Sequence, residues 1–185
     1  MIQIGEKASP TFEEPLELMS DCHRRVEQFL RALILVTEQA QGGALSELQK
    51  NEFQTALRYF REAAPNHTAD EEVSLFPRMR KLNSEAVAVA LKKIEALEAD
   101  HQVAKKAHET VERLGQKWLS NNELSSPELA ELNEELKRLA NIYVEHIRVE
   151  DDEVFPLAGK ILAADALEEI GREMAARREQ PFRRS

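Results

Sequence analysis

The sequence is poor in cysteine and in long apolar runs, and each shortage excludes a class of protein. Cys22 is the only cysteine, so no disulfide can form within the chain, which fits a reducing cytoplasm. Segment 1–10 lacks the basic and apolar regions of a secretory signal. The longest clean apolar run, residues 32–36, is far too short to span a membrane. We therefore expect a cytoplasmic protein that does not bind a membrane.

Positive charge and aromatic residues are also scarce. The net charge is −9, which argues against binding to nucleic acid or to an anionic membrane surface. No phosphate-binding loop, nucleophilic triad or nucleic-acid motif is present. Leu, Ala, Glu and Arg dominate the composition and favour helices. At 185 residues, the chain is expected to form one domain, 1–185.

Four long segments show helical periodicity and are separated by turn signals. They predict an all-α, up-down four-helix bundle with its core in residues 12–158, followed by a short fifth helix at about 164–178. The predicted bundle helices cover residues 12–41, 45–75, 85–120 and 126–155, and the third follows a turn at Asn83-Ser84.

Prolines and caps set the expected helix boundaries. Pro65 should kink or restart the second helix, because proline lacks an N–H and clashes with the preceding turn. The pairs Phe76-Pro77 and Phe155-Pro156 are expected to end the second and fourth helices. Ser126 is the expected N-cap of the fourth helix, with Pro127 at its first helical position.

An internal repeat relates the two halves of the chain. His67 and Glu71 precede one Phe-Pro pair, and His146 and Glu150 precede the other, so both halves read H-x3-E-x4-F-P. Upstream histidines, His23 and His101, lie at corresponding positions. The chain is therefore predicted to be two helical hairpins of one pattern.

The inward-facing stripe of each predicted helix is apolar until it reaches a histidine. Unpaired polar groups are costly in a core, and this many of them at a common level indicates a metal cluster. The candidate metal ligands are His23, His67, Glu71, His101, His146 and Glu150.

The H-x3-E spacing suits a dinuclear site. Residues four apart stack on one helix face about 6 Å apart. An imidazole can then bind one metal while the carboxylate bridges two. Four histidines supply two per metal, a solvent-derived oxo or hydroxo bridge adds a fifth ligand, and one position stays open. Nitrogen and oxygen donors favour two non-haem iron ions, Fe2+ or Fe3+, while manganese or zinc fits less well.

This pattern resembles the hemerythrin family, specifically its bacterial HHE cation-binding branch. The resemblance covers roughly residues 15–179. It implies a four-helix bundle with a di-iron site, reversible O2 binding in some members, and sensing or iron- and NO-related roles in others. It also implies that the six candidate residues above are the ligands.

One departure from the family concerns a missing histidine. Hemerythrin oxygen carriers have a fifth histidine four residues after the third, and Lys105 stands there in this chain. His108 lies on the same face as His101 but about 10 Å further along the helix, too far to bind the same metal. We therefore expect His108 to lie in the core or to support the ligands from outside rather than to bind the metal, and we do not expect stable oxygen carriage.

Several neighbouring residues have competing interpretations. Glu27, four residues after His23, could act as a ligand, but a solvated or supporting role is favoured. Tyr143 could hydrogen-bond near the site or simply pack in the core. Cys22 points away from the ligand stripe and is expected to pack without reacting.

Other charged groups are expected to face solvent. Glu72 lies off the ligand stripe, and the acidic run 150–153 is interpreted as a solvated face with only Glu150 inward. Arg177 and Arg178 are expected to complement the dipole of the fifth helix from the surface.

Two rival architectures fit less well. A ferritin-like di-iron oxidase needs Glu-x-x-His on two helices, and only Glu98 and His101 have that spacing. A purely structural bundle does not explain the buried polar cluster. The favoured function is a di-iron-binding protein for O2 or another small ligand such as NO or peroxide, in sensing, iron handling or storage. The alternative is a di-iron redox enzyme acting on O2, peroxide or NO.

Overall fold

The computed structural model describes residues 10–82 and 85–182, and all regular secondary structure in these two stretches is helical. The predicted turn at Asn83-Ser84 and the segment before Pro10 lie outside them. The helices are α1 (Pro15–Ala40), α2 (Glu47–Glu62), α3 (Ala64–Ala69), α4 (Phe76–Arg80), α5 (Glu85–Asn121), α6 (Ser126–Val149), α7 (Phe155–Ile161) and α8 (Ala164–Arg177). Two π-helical stretches interrupt them: the first π-segment (Asp70–Leu75) and the second π-segment (Glu150–Val154).

The helices form the predicted bundle. Its four members are α1, the column from α2 to α4, α5, and the column from α6 to α7. Each long helix packs on two neighbours, in the cyclic order α1, α2, α5, α6. Helix α8 is the fifth helix, and it packs on α1 and on the first π-segment. The all-α fold class is therefore confirmed. No helix in the described stretches is both long and apolar enough to cross a membrane.

Capping residues explain where two of the bundle helices begin. Ser46 caps α2 in a reciprocal box with Gln49. Ser125, not the predicted Ser126, is the N-cap of α6, and its backbone N–H donates to the Glu128 carboxylate at 3.1 Å. The shift by one residue places Pro127 second in the helix, still in the first turn, where its missing N–H costs nothing.

The two Phe-Pro pairs do not end their helices, contrary to the prediction. Helix α4 starts at Phe76 and α7 starts at Phe155, each directly after a π-segment. The reason is local: a π-segment ends the preceding ladder, so each proline stands in the first turn of a new α-helix, where no N–H is needed. Pro65 restarts the second column as predicted, with a break at Ala63 between α2 and α3.

Within the described stretches, the core consists of two apolar clusters with a polar layer between them. One cluster fills the long part of the bundle and includes Val26, Ala104 and Leu139. The other fills the end covered by α7 and α8 and includes Met19 and Leu97. Each predicted ligand lies along its helix between residues of the two clusters. The ligands are thus enclosed by apolar side chains above and below.

Helix α8 is fastened to the first π-segment by a buried ion pair. The Asp70 side chain is fully buried, and its two oxygens accept from Arg177 Nη1 at 2.7 Å and from Arg178 Nη2 at 2.6 Å. Gly171 allows the close approach of α8, since a Cβ there would lie 1.9 Å from the backbone oxygen of Phe12. The prediction that Arg177 and Arg178 are solvated was wrong, because both guanidinium groups bind the buried carboxylate of Asp70. Helical periodicity does not single out Asp70 as a buried residue.

Removing the Asp70 carboxylate should destabilise the protein. We expect Asp70→Ala to lower the free energy of unfolding of the metal-free protein by about 3 kcal/mol, since it strands two partly buried guanidinium groups. Arg177→Ala should cost less, because Arg178 remains. Urea denaturation measures the effect, with Asp152→Ala, an exposed aspartate in the second π-segment, as control. Equal losses in both variants would contradict the buried ion pair.

Candidate metal centre

All four bundle members contribute to one buried polar layer. His23 comes from α1, His67 from α3, His101 from α5 and His146 from α6. Glu71 lies in the first π-segment and Glu150 opens the second. Both glutamates are fully buried, and the histidine side chains are exposed by 10% or less. The structure therefore brings all six predicted ligands together at the same level of the bundle.

The six side chains divide into two groups of four. The first group consists of His23, His67, Glu71 and Glu150, and the second of Glu71, His101, His146 and Glu150. Within each group, the potential ligand atoms lie within 4.8 Å of one another. Both glutamates belong to both groups.

Each glutamate directs one oxygen towards each group. Glu71 Oε1 lies 3.1 Å from His67 Nε2, and its Oε2 lies 3.3 Å from His101 Nε2. Glu150 Oε2 lies 3.0 Å from His23 Nε2, and its Oε1 lies 3.3 Å from His146 Nε2. All four histidines thus present Nε2, and each carboxylate spans the two groups.

Hydrogen bonding leaves much of this layer unsatisfied. Among the described residues, no hydrogen-bond partner meets any of the four buried oxygens of Glu71 and Glu150, and none meets the buried His23 Nε2. The ion-pair distances are short, but the directions do not suit hydrogen bonds. His101 Nε2 and His146 Nε2 lie 3.1 Å apart, so the two ring nitrogens of the second group face each other. Buried acceptors without donors are costly, and a cation at each group would satisfy them all. The residues therefore fit a pair of metal ions.

Protonation shows the same demand for positive charge. Burial lowers the pKa of His23, but contacts with Asp151 and Glu150 outweigh it and raise that pKa to about 10. For His101, the carboxylates of Glu71 and Glu72 likewise outweigh burial and raise the pKa to about 9. Without a metal, protons on these two imidazoles supply the charge that the carboxylates require.

The remaining groups of the layer respond differently. Burial lowers the pKa of His67 well below its usual value, and the neighbouring charge on His23 lowers it further. Burial, reinforced by Glu150, raises the pKa of Glu71 to about 7. Glu150 is also buried, but the imidazoles of His146 and His23, in close contact with its two oxygens, hold its pKa well below the usual range. One carboxylate is thus stabilised as an anion and the other is not.

Acidic residues outside the layer contact the far sides of the imidazoles. Asp151 Oδ1 lies 3.0 Å from His23 Nδ1, and Glu72 Oε1 lies 2.8 Å from His101 Nδ1. Asp100 stands 3.5 Å from His146 Nδ1. The predictions that Glu72 is exposed and that Asp151 belongs to a solvated face were wrong. The overlooked signal is that an acidic residue directly follows the motif glutamate in both halves.

Other residues weighed from the sequence stay outside the two groups. Glu27 and Lys105 are exposed. Cys22 is a free, buried thiol that accepts a long contact from Arg25. His108 stacks on Phe60 with ring centroids 4.4 Å apart, deeper in the bundle.

His108 and Tyr143 form a polar pair within the apolar core. His108 Nε2 and the Tyr143 hydroxyl lie 2.8 Å apart. The Tyr143 ring also meets His146 edge-on, with centroids 6.4 Å apart. Of the two roles left open for Tyr143, the structure favours packing in the core: its ring packs against the apolar cluster, and its hydroxyl bonds to His108, which is not in either ligand group. The core position expected for His108 agrees with this.

The comparisons with known proteins place the chain in a family. A family model for the hemerythrin HHE cation-binding domain matches residues 14–158, and the chain belongs to this family. It is also similar to an uncharacterized protein of Haemophilus influenzae (strain ATCC 51907 / DSM 11121 / KW20 / Rd). The two are 30% identical over 170 residues, which cover 91% of this chain and 92% of that protein.

His108 should make the metal-free protein sensitive to acid. Burial lowers its pKa from 6.5 to about 4, so between these values the unfolded chain takes up a proton that the folded chain refuses. Stability should therefore fall as pH drops from about 6.5 to 4, by about 3 kcal/mol at roughly 1.4 kcal/mol per pKa unit. Urea titrations at several pH values should show a smaller loss in His108→Gln, whose amide can still bond to Tyr143. Parallel losses in both proteins would contradict this account.

Proposed function

We propose that this protein binds two non-haem iron ions and uses them to bind a small ligand such as O2, NO or peroxide, in sensing, iron handling or storage. The observation that carries the proposal is the sharing of both glutamates. Two groups of four ligand atoms with two carboxylates in common are what a carboxylate-bridged metal pair requires. His23 and His67 would hold one ion, His101 and His146 the other, with Glu71 and Glu150 across both.

The donor set supports iron over a structural zinc. Each group offers two imidazole nitrogens and two carboxylate oxygens and no thiolate, since Cys22 is not a member of either group. In a structural zinc site, four protein ligands, commonly including cysteine, usually fill the coordination shell. Imidazole together with carboxylate suits iron and manganese. A bound iron pair supplies reversible exchange of electrons with a small oxidant.

The surrounding residues determine what such a centre can be used for. The apolar clusters on both sides limit access of water and of large substrates. Lys105, one turn after His101, is exposed, so this turn adds no imidazole to the second group. That argues for a centre that reacts with its ligand rather than a carrier that returns it unchanged. We also propose a cytoplasmic location, where the free thiol of Cys22 stays reduced.

Metal content tests the proposal directly. Protein made with iron available should hold two iron atoms per chain by elemental analysis. Glu71→Ala and Glu150→Ala should each lose both ions together, because each removes a ligand that the two sites share. Glu27→Ala is the matched control: Glu27 also follows a histidine by four residues, but it is exposed and should not affect the content. One tightly held zinc per chain, or loss in the control alone, would contradict the proposal.

Oxygen uptake tests the role. We expect the reduced, iron-loaded protein to consume O2 without releasing it on deaeration, as followed with an oxygen electrode and visible spectra. Lys105→His, which supplies an imidazole where the oxygen carriers have one, should slow the oxidation. Lys106→His, one position along on an exposed face, should not. Full recovery of O2 from the unmodified protein, repeated over many cycles, would identify a carrier instead.

A further inference from the structure

We infer that Glu72 and Asp151 are positioning residues for the metal centre, each holding the imidazole that the opposite half of the chain contributes. The inference rests on the proposed function and adds to it two residues outside the six ligands. It assigns a role to the acidic residue that directly follows each shared glutamate.

The contacts have the geometry that this role requires. Glu72 Oε1 lies 2.8 Å from His101 Nδ1, and Asp151 Oδ1 lies 3.0 Å from His23 Nδ1. A carboxylate can only accept, so the imidazole donates from Nδ1. When the imidazole is neutral, as a metal ligand must be, this contact keeps its proton on Nδ1 and leaves the lone pair of Nε2 for the metal. Such a contact settles the tautomer, restricts the ring orientation and makes the imidazole a stronger donor to a metal.

The two contacts are related by the internal repeat. Glu72 lies in the first half and reaches His101 in the second, while Asp151 lies in the second half and reaches His23 in the first. Both carboxylates are partly exposed, at 29% and 33%, whereas the two imidazoles are nearly buried. A chance surface contact would not recur at equivalent positions in both halves.

The choice of histidines supports the same role. His67 and His146 each share a helical column with a glutamate four residues later, so the motif itself orients them. His23 and His101 have no ligand partner on their own helices. The described residues give His67 Nδ1 no hydrogen-bond partner, and Asp100 only approaches His146 Nδ1, at 3.5 Å. The shortest carboxylate contacts to Nδ1 are therefore made to His23 and His101, the two histidines that no ligand on the same helix orients.

The two supports act on different metal positions. His101 belongs to the second group of ligands and His23 to the first. Loss of Glu72 should first weaken the second position, and loss of Asp151 the first. Because Glu71 and Glu150 are common to both positions, each loss should also weaken the other position to a smaller degree.

Anaerobic Fe2+ binding, measured by competition with a chelator and counted by native mass spectrometry, tests the inference. We expect Glu72→Ala and Asp151→Ala each to weaken iron binding by about 10–100-fold, the range typical of such outer contacts. Glu72→Gln and Asp151→Asn should lose only severalfold, because the amide oxygen still accepts the hydrogen bond without the charge. Glu153→Ala and Glu153→Gln are the matched controls, since Glu153 is in the second π-segment but pairs outward with Lys93 and Arg148.

A second readout separates positioning from simple structural support. In protein loaded with Zn2+ as a diamagnetic probe, the Nδ1 proton of His101 should give a protected NMR signal that Glu72→Ala abolishes and Asp151→Ala preserves. The signal of His23 should show the reverse pattern. Affinities equal to those of the Glu153 controls, with both signals retained, would overturn the inference. If an alanine variant does not fold, the amide variants decide by the same comparison with Glu153→Gln.

The number of ions bound by the unmodified protein tests the proposed function separately from the variants. Fewer than two ions per chain in the unmodified protein would remove the proposed function, and this inference with it. Two ions per chain with unaffected variants would remove this inference alone.

Discussion

The fold depends on placing two carboxylates, Glu71 and Glu150, in the middle of an apolar bundle. In the part of the chain that the structure describes, neither oxygen pair has an aligned donor, both glutamates are fully buried, and apolar clusters lie on both sides of them. Such groups are tolerated only if positive charge is supplied close by. The neighbouring residues meet this need for positive charge. Four imidazoles face the two carboxylates, and further acidic residues contact the imidazoles from the other side. The polar layer is thus organised from its centre outwards, and the helices are the frame that brings it together.

The π-segments explain how one helical column can supply ligands to the metal layer and apolar side chains to the end of the bundle. Each begins at or directly before a shared glutamate and ends directly before a Phe-Pro pair. The wider turn changes the register of the column between the metal layer and the apolar end. π-turns of this kind occur frequently at functional sites. Their position in both halves, at equivalent points of the repeat, indicates that they are part of the site's construction.

Much of this arrangement could be predicted from the sequence, because helical periodicity and the repeated motif are local signals. They were enough to predict the bundle and the meeting of six side chains in one layer. The continuation of the helices through Phe76-Pro77 could not be foreseen, since it depends on a π-segment that periodicity does not reveal. The contacts of Asp70, Glu72 and Asp151 were missed for a different reason. They join residues distant in sequence, and an acidic residue beside a ligand looks the same whether it faces solvent or an imidazole.

The division of the ligands between the two halves has a mechanical consequence. The first group takes three ligands from the N-terminal half and Glu150 from the C-terminal half, and the second group does the converse with Glu71. A cation in either group therefore ties together two segments far apart in the chain. With a single cysteine, the chain cannot join its two halves by an internal disulfide. Filled, the centre would work as a pair of removable cross-links, whose closure depends on metal supply where that of a disulfide depends on an oxidant.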